Sequence, residues 1–220
     1  MLLLKKETQN LIKMKIEFTE SQNRFRSEIR DWFSKNVPSK PLASFDTKEG
    51  FEEHREWEKT LNQGNWSMVT WPIEYGGRAL NLIEWLIFEE EYYRANAPAR
   101  VNQNGVFLLG PTLMEYGTDD QKSKFLSAMA EGDHIWSQGW SEPNAGSDMA
   151  AIRATAVRNN DTFIINGQKT WSSRAAFADW TFGLFRSDPE SERHRGLSFI
   201  LVPLDQKGVT VRPISQLDGE

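Results

Sequence analysis

The chain has 220 residues, 39% of them hydrophobic, and its nine Trp and thirteen Phe supply bulky core material, a globular composition and not a disordered one. A balance of 26 basic against 31 acidic residues gives a net charge of −5 and argues against a nucleic-acid partner, since phosphate binding wants a basic surface. The absence of cysteine excludes disulfides, zinc–thiolate sites and thiol nucleophiles, and His54, His134 and His194 lack metal-ligand spacing, so no metal site is expected. At the N-terminus, Met1-Leu2-Leu3-Leu4-Lys5-Lys6 is too short an apolar run for a signal peptide, and its basic residues follow where they should precede. Residues 1–17 read as a flexible extension, with Met14 an alternative start. No stretch is long enough to span a bilayer, and a cytoplasmic protein is expected.

The first half of the chain predicts helices. Thr19 and Gln22 have capping-box spacing, Phe25, Ile29, Trp32 and Phe33 recur at helical intervals, and Pro38 stops the run. Phe51, Trp57 and Leu61 predict a second helix ending near Gly64. Asn81 caps a third, whose run Leu82, Ile83, Trp85, Leu86, Ile87 and Phe88 predicts burial on most sides. The following Glu89-Glu90-Glu91 reads as a solvated face with one residue turned inward. Val106 to Tyr116 predict a fourth helix with Pro111 near its start or interrupting it. Thr118 and Gln121 box the start of a fifth helix, which runs to Gly132.

After about residue 133 the texture changes to short apolar runs between turn signals. These are Ile135-Trp136, 151–157, 162–165, 180–185, 197–202 and 209–211, with turns at Asn159-Asn160-Asp161, Asn166-Gly167 and Lys207-Gly208. The charged stretch 187–195 reads as solvated surface. The fold class is α+β: an all-α domain over 18–133, then an antiparallel β-barrel or sandwich domain over 134–220.

Two polar segments carry the chemistry. Gly139-Trp140-Ser141-Glu142-Pro143-Asn144-Ala145-Gly146-Ser147-Asp148 is poor helix and poor strand, a loop whose N–H and O–H groups can face a ligand. Asn166-Gly167-Gln168-Lys169-Thr170-Trp171-Ser172-Ser173 leads from a tight turn to an indole among small hydroxylated residues. Together they point to a cofactor with an anionic tail and a planar aromatic head. Trp171 could instead be ordinary core, but its place after the turn favours ring contact. Glu142 and Asp148 read as acids that hold the loop's shape by bonding nearby N–H groups. Arg174 reads as surface and His134 as structural.

These segments, with Trp71-Pro72-Ile73-Glu74-Tyr75-Gly76-Gly77, Glu89-Glu90 and Gly117-Thr118-x-x-Gln121 before them, resemble the acyl-CoA dehydrogenase family across most of the chain. The resemblance implies an FAD-dependent oxidoreductase of lipid metabolism and β-oxidation that moves a hydride from an acyl-CoA β-carbon to the flavin. It implies a cofactor site formed by Gln138, Trp140, Ser141, Gly146, Ser147, Trp171, Ser172 and Ser173. In that site Trp140 and Ser141 lie nearest the ring, Trp171 packs on its face, and the Ser172-Ser173 backbone bonds near the reactive nitrogen. Ser147 also meets the substrate's pantetheine arm. Donors placed there stabilise the negative charge that arrives with the hydride. Partners implied are an electron-transferring flavoprotein or similar acceptor and a homo- or hetero-oligomer.

The family continues past its β domain into a C-terminal helical bundle that carries the catalytic base, whereas this sequence stops at Leu217-Asp218-Gly219-Glu220. A truncated copy is therefore expected, with no catalytic base among these residues, an unpaired sheet edge and an exposed apolar helical face. Two alternatives are a non-catalytic subunit of a heteromeric dehydrogenase and a same-fold acyl-CoA oxidase or flavin monooxygenase. Members acting on steroid-type acyl chains as unlike-subunit assemblies share Gln138-Gly139-Trp140-Ser141-Glu142-Pro143.

Overall fold

The structure is a computed structural model and describes residues 17–214. The expected extension over 1–17 lies, apart from Glu17, outside the described residues, and so does Leu217–Glu220. Local chemistry sets the helix starts. Thr19 caps α1 (Glu20–Asn36), accepting from the Gln22 N–H while the Gln22 side chain accepts from the Thr19 N–H. The same reciprocal box, Asn81 with Glu84 and Thr118 with Gln121, opens α3 (Leu82–Arg94) and α5 (Asp119–Ala130). Between α1 and α3, α2 (Lys48–Gln63) is capped by Thr47. One π-helical turn, Gly105–Leu109, runs directly into α4 (Gly110–Tyr116), so Pro111 lies within a continuous helical run, and the Val106 carbonyl that its missing N–H leaves open accepts from Trp71 Nε1 at 3.1 Å.

The helices share an aromatic core. Ile29 and Phe33 of α1 pack with Trp57 and Leu61 of α2, Trp66, and Ile87, Phe88 and Tyr92 of α3. The expectation that α3 is buried on most sides is corrected. Ile87, Phe88, Glu91 and Tyr92 are buried, but Leu82, Ile83 and Leu86 are exposed, because α1 and its neighbours cover one face only. Glu91 is the acid turned inward, where Arg26, Arg30 and Arg94 surround it.

Five strands follow: β1 (Trp136–Gly139), β2 (Thr155–Asn159), β3 (Thr162–Asn166), β4 (Trp180–Arg186) and β5 (Leu197–Pro203). The α+β order is as expected, but the sheet is open and mixed, not purely antiparallel. β2–β3 and β4–β5 pair antiparallel, while β1 runs parallel to β4 with Trp136 beside Trp180 and Gly139 beside Gly183. β2 touches β4 in parallel at its far end, Thr155 beside Arg186. The expected run at 209–211 forms no strand.

A buried polar relay joins helices to sheet. Glu58 of α2 accepts from Arg100 Nε at 2.7 Å and from the N–H groups of Val101 and Asn102. The Asn102 amide donates to the Met129 and His134 carbonyls and accepts from the Trp136 N–H at the start of β1. His134 is thus structural, its ring among Phe125, Trp136 and Trp180. Arg55 of α2 forks onto Asp179 at 2.9 and 3.2 Å, and Asp179 also accepts from the Ile135 N–H.

Candidate functional site

The loop after β1 is held by one carboxylate. Glu142 accepts from the N–H groups of Arg153 (2.8 Å) and Ala154 (2.9 Å) and from Lys169 Nζ (2.9 Å). Burial alone would raise its pKa, but these donors outweigh burial and hold it below the ordinary carboxylate range. Lys169 spends its remaining donors on the carbonyls of Leu184 and Trp140. Its burial depresses its own pKa more than Glu142 restores it. Both chain ends of the loop are thereby pinned, as expected for an acid that shapes a loop. Asp148, by contrast, is exposed and meets only Arg193, at 3.6 Å.

The second segment is tied to the first. The Thr170 N–H donates to the Ser141 carbonyl at 2.9 Å, one residue before Trp171. Gln138 stands on β1 opposite Phe182, and Trp140 and Ser141 are half-buried just beyond it. The Trp140 ring packs against the core that holds Trp136 and Phe182, and its Nε1–H is buried without an acceptor. Gly146 and Ser147 lie exposed at the loop's tip. Trp171 is 74% exposed and takes a left-handed backbone at φ 58°. Ser172 is half-buried and Ser173 exposed. The hydroxyls of Ser141, Ser147, Ser172 and Ser173 and the N–H groups of Ser141, Trp171 and Ser172 make no hydrogen bond among the described residues.

The Thr170–Ser141 and Lys169–Trp140 bonds set the chain at Trp171-Ser172 beside Trp140-Ser141, a backbone wall with Gln138 on the strand leading into it. Gly146 and Ser147 sit apart at the loop tip. This wall is open. One cleft, of about 390 Å³, is lined by Asp148, Ile152, Arg153, Arg186 and Arg193. Another, of about 400 Å³, is lined by Arg30, Phe33, Val37, Glu91 and Arg94. Neither is formed by the eight nominated residues.

Sequence reasoning quoted Lys169 without giving it a role. Its position two residues before Trp171, as the one charged residue of the segment 166–173, was the available signal. It also gave Arg174 to the surface, whereas Arg174 is half-buried with its guanidinium 3.9 Å over the Phe45 ring.

Family models for the acyl-CoA dehydrogenase N-terminal domain and middle domain match residues 19–133 and 137–220. The chain belongs to the acyl-CoA dehydrogenase family, whose members are oxidoreductases. It is 44% identical over 212 residues to the acyl-CoA dehydrogenase IpdE1 of Mycolicibacterium smegmatis, covering 89% of this chain and 54% of that one. Among solved structures it is similar to the Tcur3481-Tcur3483 steroid ACAD, with a TM-score of 0.79 and 34% identity, covering 94% of this chain and 53% of that one. The ChsE4-ChsE5 complex from Mycobacterium tuberculosis gives a TM-score of 0.77 and 35% identity, covering 94% and 52%. The chain spans about half the length of the curated relatives it matches. Among its described residues no helix is long and apolar enough to cross a membrane.

Proposed function

We propose that the chain is the N-terminal and middle part of a cytoplasmic, FAD-dependent acyl-CoA dehydrogenase, acting on an acyl-CoA thioester and passing electrons to an electron-transferring flavoprotein. The supporting observation is the wall itself. Unpartnered donors at Ser141 and Ser172 share it with an exposed, flat indole. This donor set fits an electron-rich planar ring. Gln138, Trp140, Ser141, Gly146, Ser147, Trp171, Ser172 and Ser173 would hold the flavin, and Ser147 would also meet the thioester arm. Bound FAD supplies the hydride acceptor. The chain's own donors then stabilise the charge that accumulates, and Trp171 keeps water from the ring face.

Removal of the α-proton needs a carboxylate with a free lone pair. Glu142 is poorly suited, since two backbone N–H groups and Lys169 engage three of its four lone pairs and hold its pKa low. The reading therefore assigns the base to the half of the relatives' length that this chain does not span. A second reading, a subunit that works beside an unlike dehydrogenase chain, draws support from the two-chain names of its structural neighbours.

Titration of FAD into the chain, followed by fluorescence anisotropy, tests the site. Saturable but weak binding is expected, reduced at least tenfold by Trp171→Ala and less by Ser141→Ala, with no bleaching on adding acyl-CoA. Absence of saturable binding, or binding that both variants leave unchanged, would overturn the assignment. Acyl-CoA-dependent bleaching would overturn the placement of the base.

A further inference from the structure

Trp171 has little packing of its own, so something else must fix where its indole faces. The backbone offers the clue. Trp171 and Arg174, at φ 58° and 73°, are both non-glycine residues in the left-handed region and bracket Ser172-Ser173. Each such residue carries a steric cost that glycine would not, and the conformation persists only where the surroundings impose it.

At Arg174 the surroundings are visible. Its guanidinium lies over Phe45, before α2, and donates to the Arg100 carbonyl at 3.5 Å. It forms no ion pair among the described residues. Burial works against its charge, with only distant relief from Asp46 and Glu58. Its carbonyl accepts from the N–H groups of Phe177 and Ala178, and this turn sets Phe177 against Phe51 of α2. Next door, the Asn104 amide donates to the Ser173 carbonyl at 3.5 Å. An arginine on an exposed turn would gain nothing from this posture. Here stacking on an aromatic face offsets a cost of about the same size in the backbone.

We propose that Arg174 is a positioning residue: its guanidinium, laid on Phe45 and bonded to the Arg100 carbonyl, holds the left-handed turn that presents the Trp171 indole and the Ser172 N–H at the flavin face. What the turn presents to rests on the flavin reading above; that Arg174 holds it does not.

The near-cancellation of strain and stacking makes Arg174→Gly a clean variant, because it removes the anchor and relieves the backbone together. Its melting temperature is expected within about 3 °C of the parent, a net change near 1 kcal/mol or less at this length. In the flavin-free chain, amide hydrogen exchange at Thr170 and Ser173, whose N–H groups donate to the Ser141 and Trp171 carbonyls, is expected to rise at least tenfold while β4 and β5 stay protected. Acrylamide quenching of Trp171, taken as the difference from Trp171→Phe, is expected to change as well. Arg174→Lys, which keeps the charge but not the planar stack, is expected to fall between. Unchanged exchange and quenching in Arg174→Gly would overturn the proposal. Should Arg174→Gly fail to fold, Phe45→Leu carries the same test: it removes the stacking partner, and the same two readouts decide. The Trp171→Ala titration separates the two ideas. If Trp171→Ala leaves FAD binding unchanged while Arg174→Gly loosens the turn, the flavin reading fails and this one stands.

Discussion

Glu142→Gln isolates what holds the loop. The carboxylate takes three donors, two from the backbone and one from a lysine whose side chain is 14% exposed. The amide that replaces it has one acceptor oxygen and two N–H bonds. If its oxygen takes the Oε1 place, its NH2 confronts the Arg153 N–H. If it takes the Oε2 place, the NH2 confronts both the Ala154 N–H and Lys169. Either way one donor or more is left facing a donor, and Lys169 loses its counter-charge. Hydrogen bonds to charged groups contribute roughly 1.5–3 kcal/mol, and breaking a fully buried pair costs about 3–5 kcal/mol. The pair stands at the rim of the sheet, so about 2–3 kcal/mol is expected. At roughly 2–4 °C per kcal/mol for this length, the melting temperature should fall by about 4–12 °C. Adding Lys169→Met should cost less than the sum of the single changes, with a coupling of at least about 1 kcal/mol, because the second change removes a charge already stranded. The pH dependence has a definite sign. Glu142 has its folded pKa below the unfolded value of about 4.3, so between the two the unfolded chain binds more protons. Its contribution is fully present above that value and is lost as pH falls through the folded pKa. The gap between parent and Glu142→Gln should therefore hold steady near neutrality and narrow in acid. A variant that melts with the parent, or a gap that widens in acid, would refute this account of the loop.

Asp179→Ala removes the fork to Arg55 and the acceptor of the Ile135 N–H. It should cost about 1–3 kcal/mol and broaden or split the calorimetric transition, since helices and sheet then melt with less coupling. Gly105→Ala would place a methyl 2.5 Å from Asn102 Oδ1 and 3.0 Å from Trp136 Cδ1. Asn102 cannot move without releasing two carbonyls and the Trp136 N–H, so a loss of about 2 kcal/mol or more in unfolding free energy, read as a lower urea midpoint, is expected. Leu82→Lys with Leu86→Lys should leave the unfolding free energy unchanged to within about 0.5 kcal/mol, because both side chains are exposed, and should lower light scattering.

The helix starts were legible because capping boxes are local: Thr19, Asn81 and Thr118 each need only a partner three residues on. The strands were legible as apolar runs, but their partners were not. β1 lies parallel to β4 because the chain between them detours through the loop, a β-hairpin and the Trp171 turn, and no residue in β1 announces that return. The apolar run in α3 reads as all-round burial because composition cannot say how many neighbours a helix has. At 209–211 the alternation is present, but among the described residues no strand pairs with it. In the site, the polar loop and the indole were legible from residue types in sequence. Arg174 was not, because its reason is Phe45, brought near by the fold alone.

The candidate wall stands on two supports from different parts of the chain. The Ser141 side belongs to the sheet, pinned by Glu142, which holds the head of β2, and by Lys169, which reaches the Leu184 carbonyl in β4. The Trp171 side belongs to the helices, through Asn104 on Ser173, Arg174 on Phe45 and Phe177 on Phe51. The Thr170 N–H on the Ser141 carbonyl and Lys169 Nζ on the Trp140 carbonyl and Glu142 stitch the two directly. A few bonds at one edge, each contributing about 1 kcal/mol, do not by themselves keep two bodies in register. The burden falls on the Asn102 relay and the Arg55–Asp179 fork, which fix β1 against α2 and α5. Asp179→Ala should therefore disturb the wall while leaving both supports folded. Its Trp171 quenching should depart from the parent's well below the temperature at which far-UV ellipticity changes. If quenching and ellipticity move together, the wall is a property of the sheet alone, and the helical anchors have no part in shaping it.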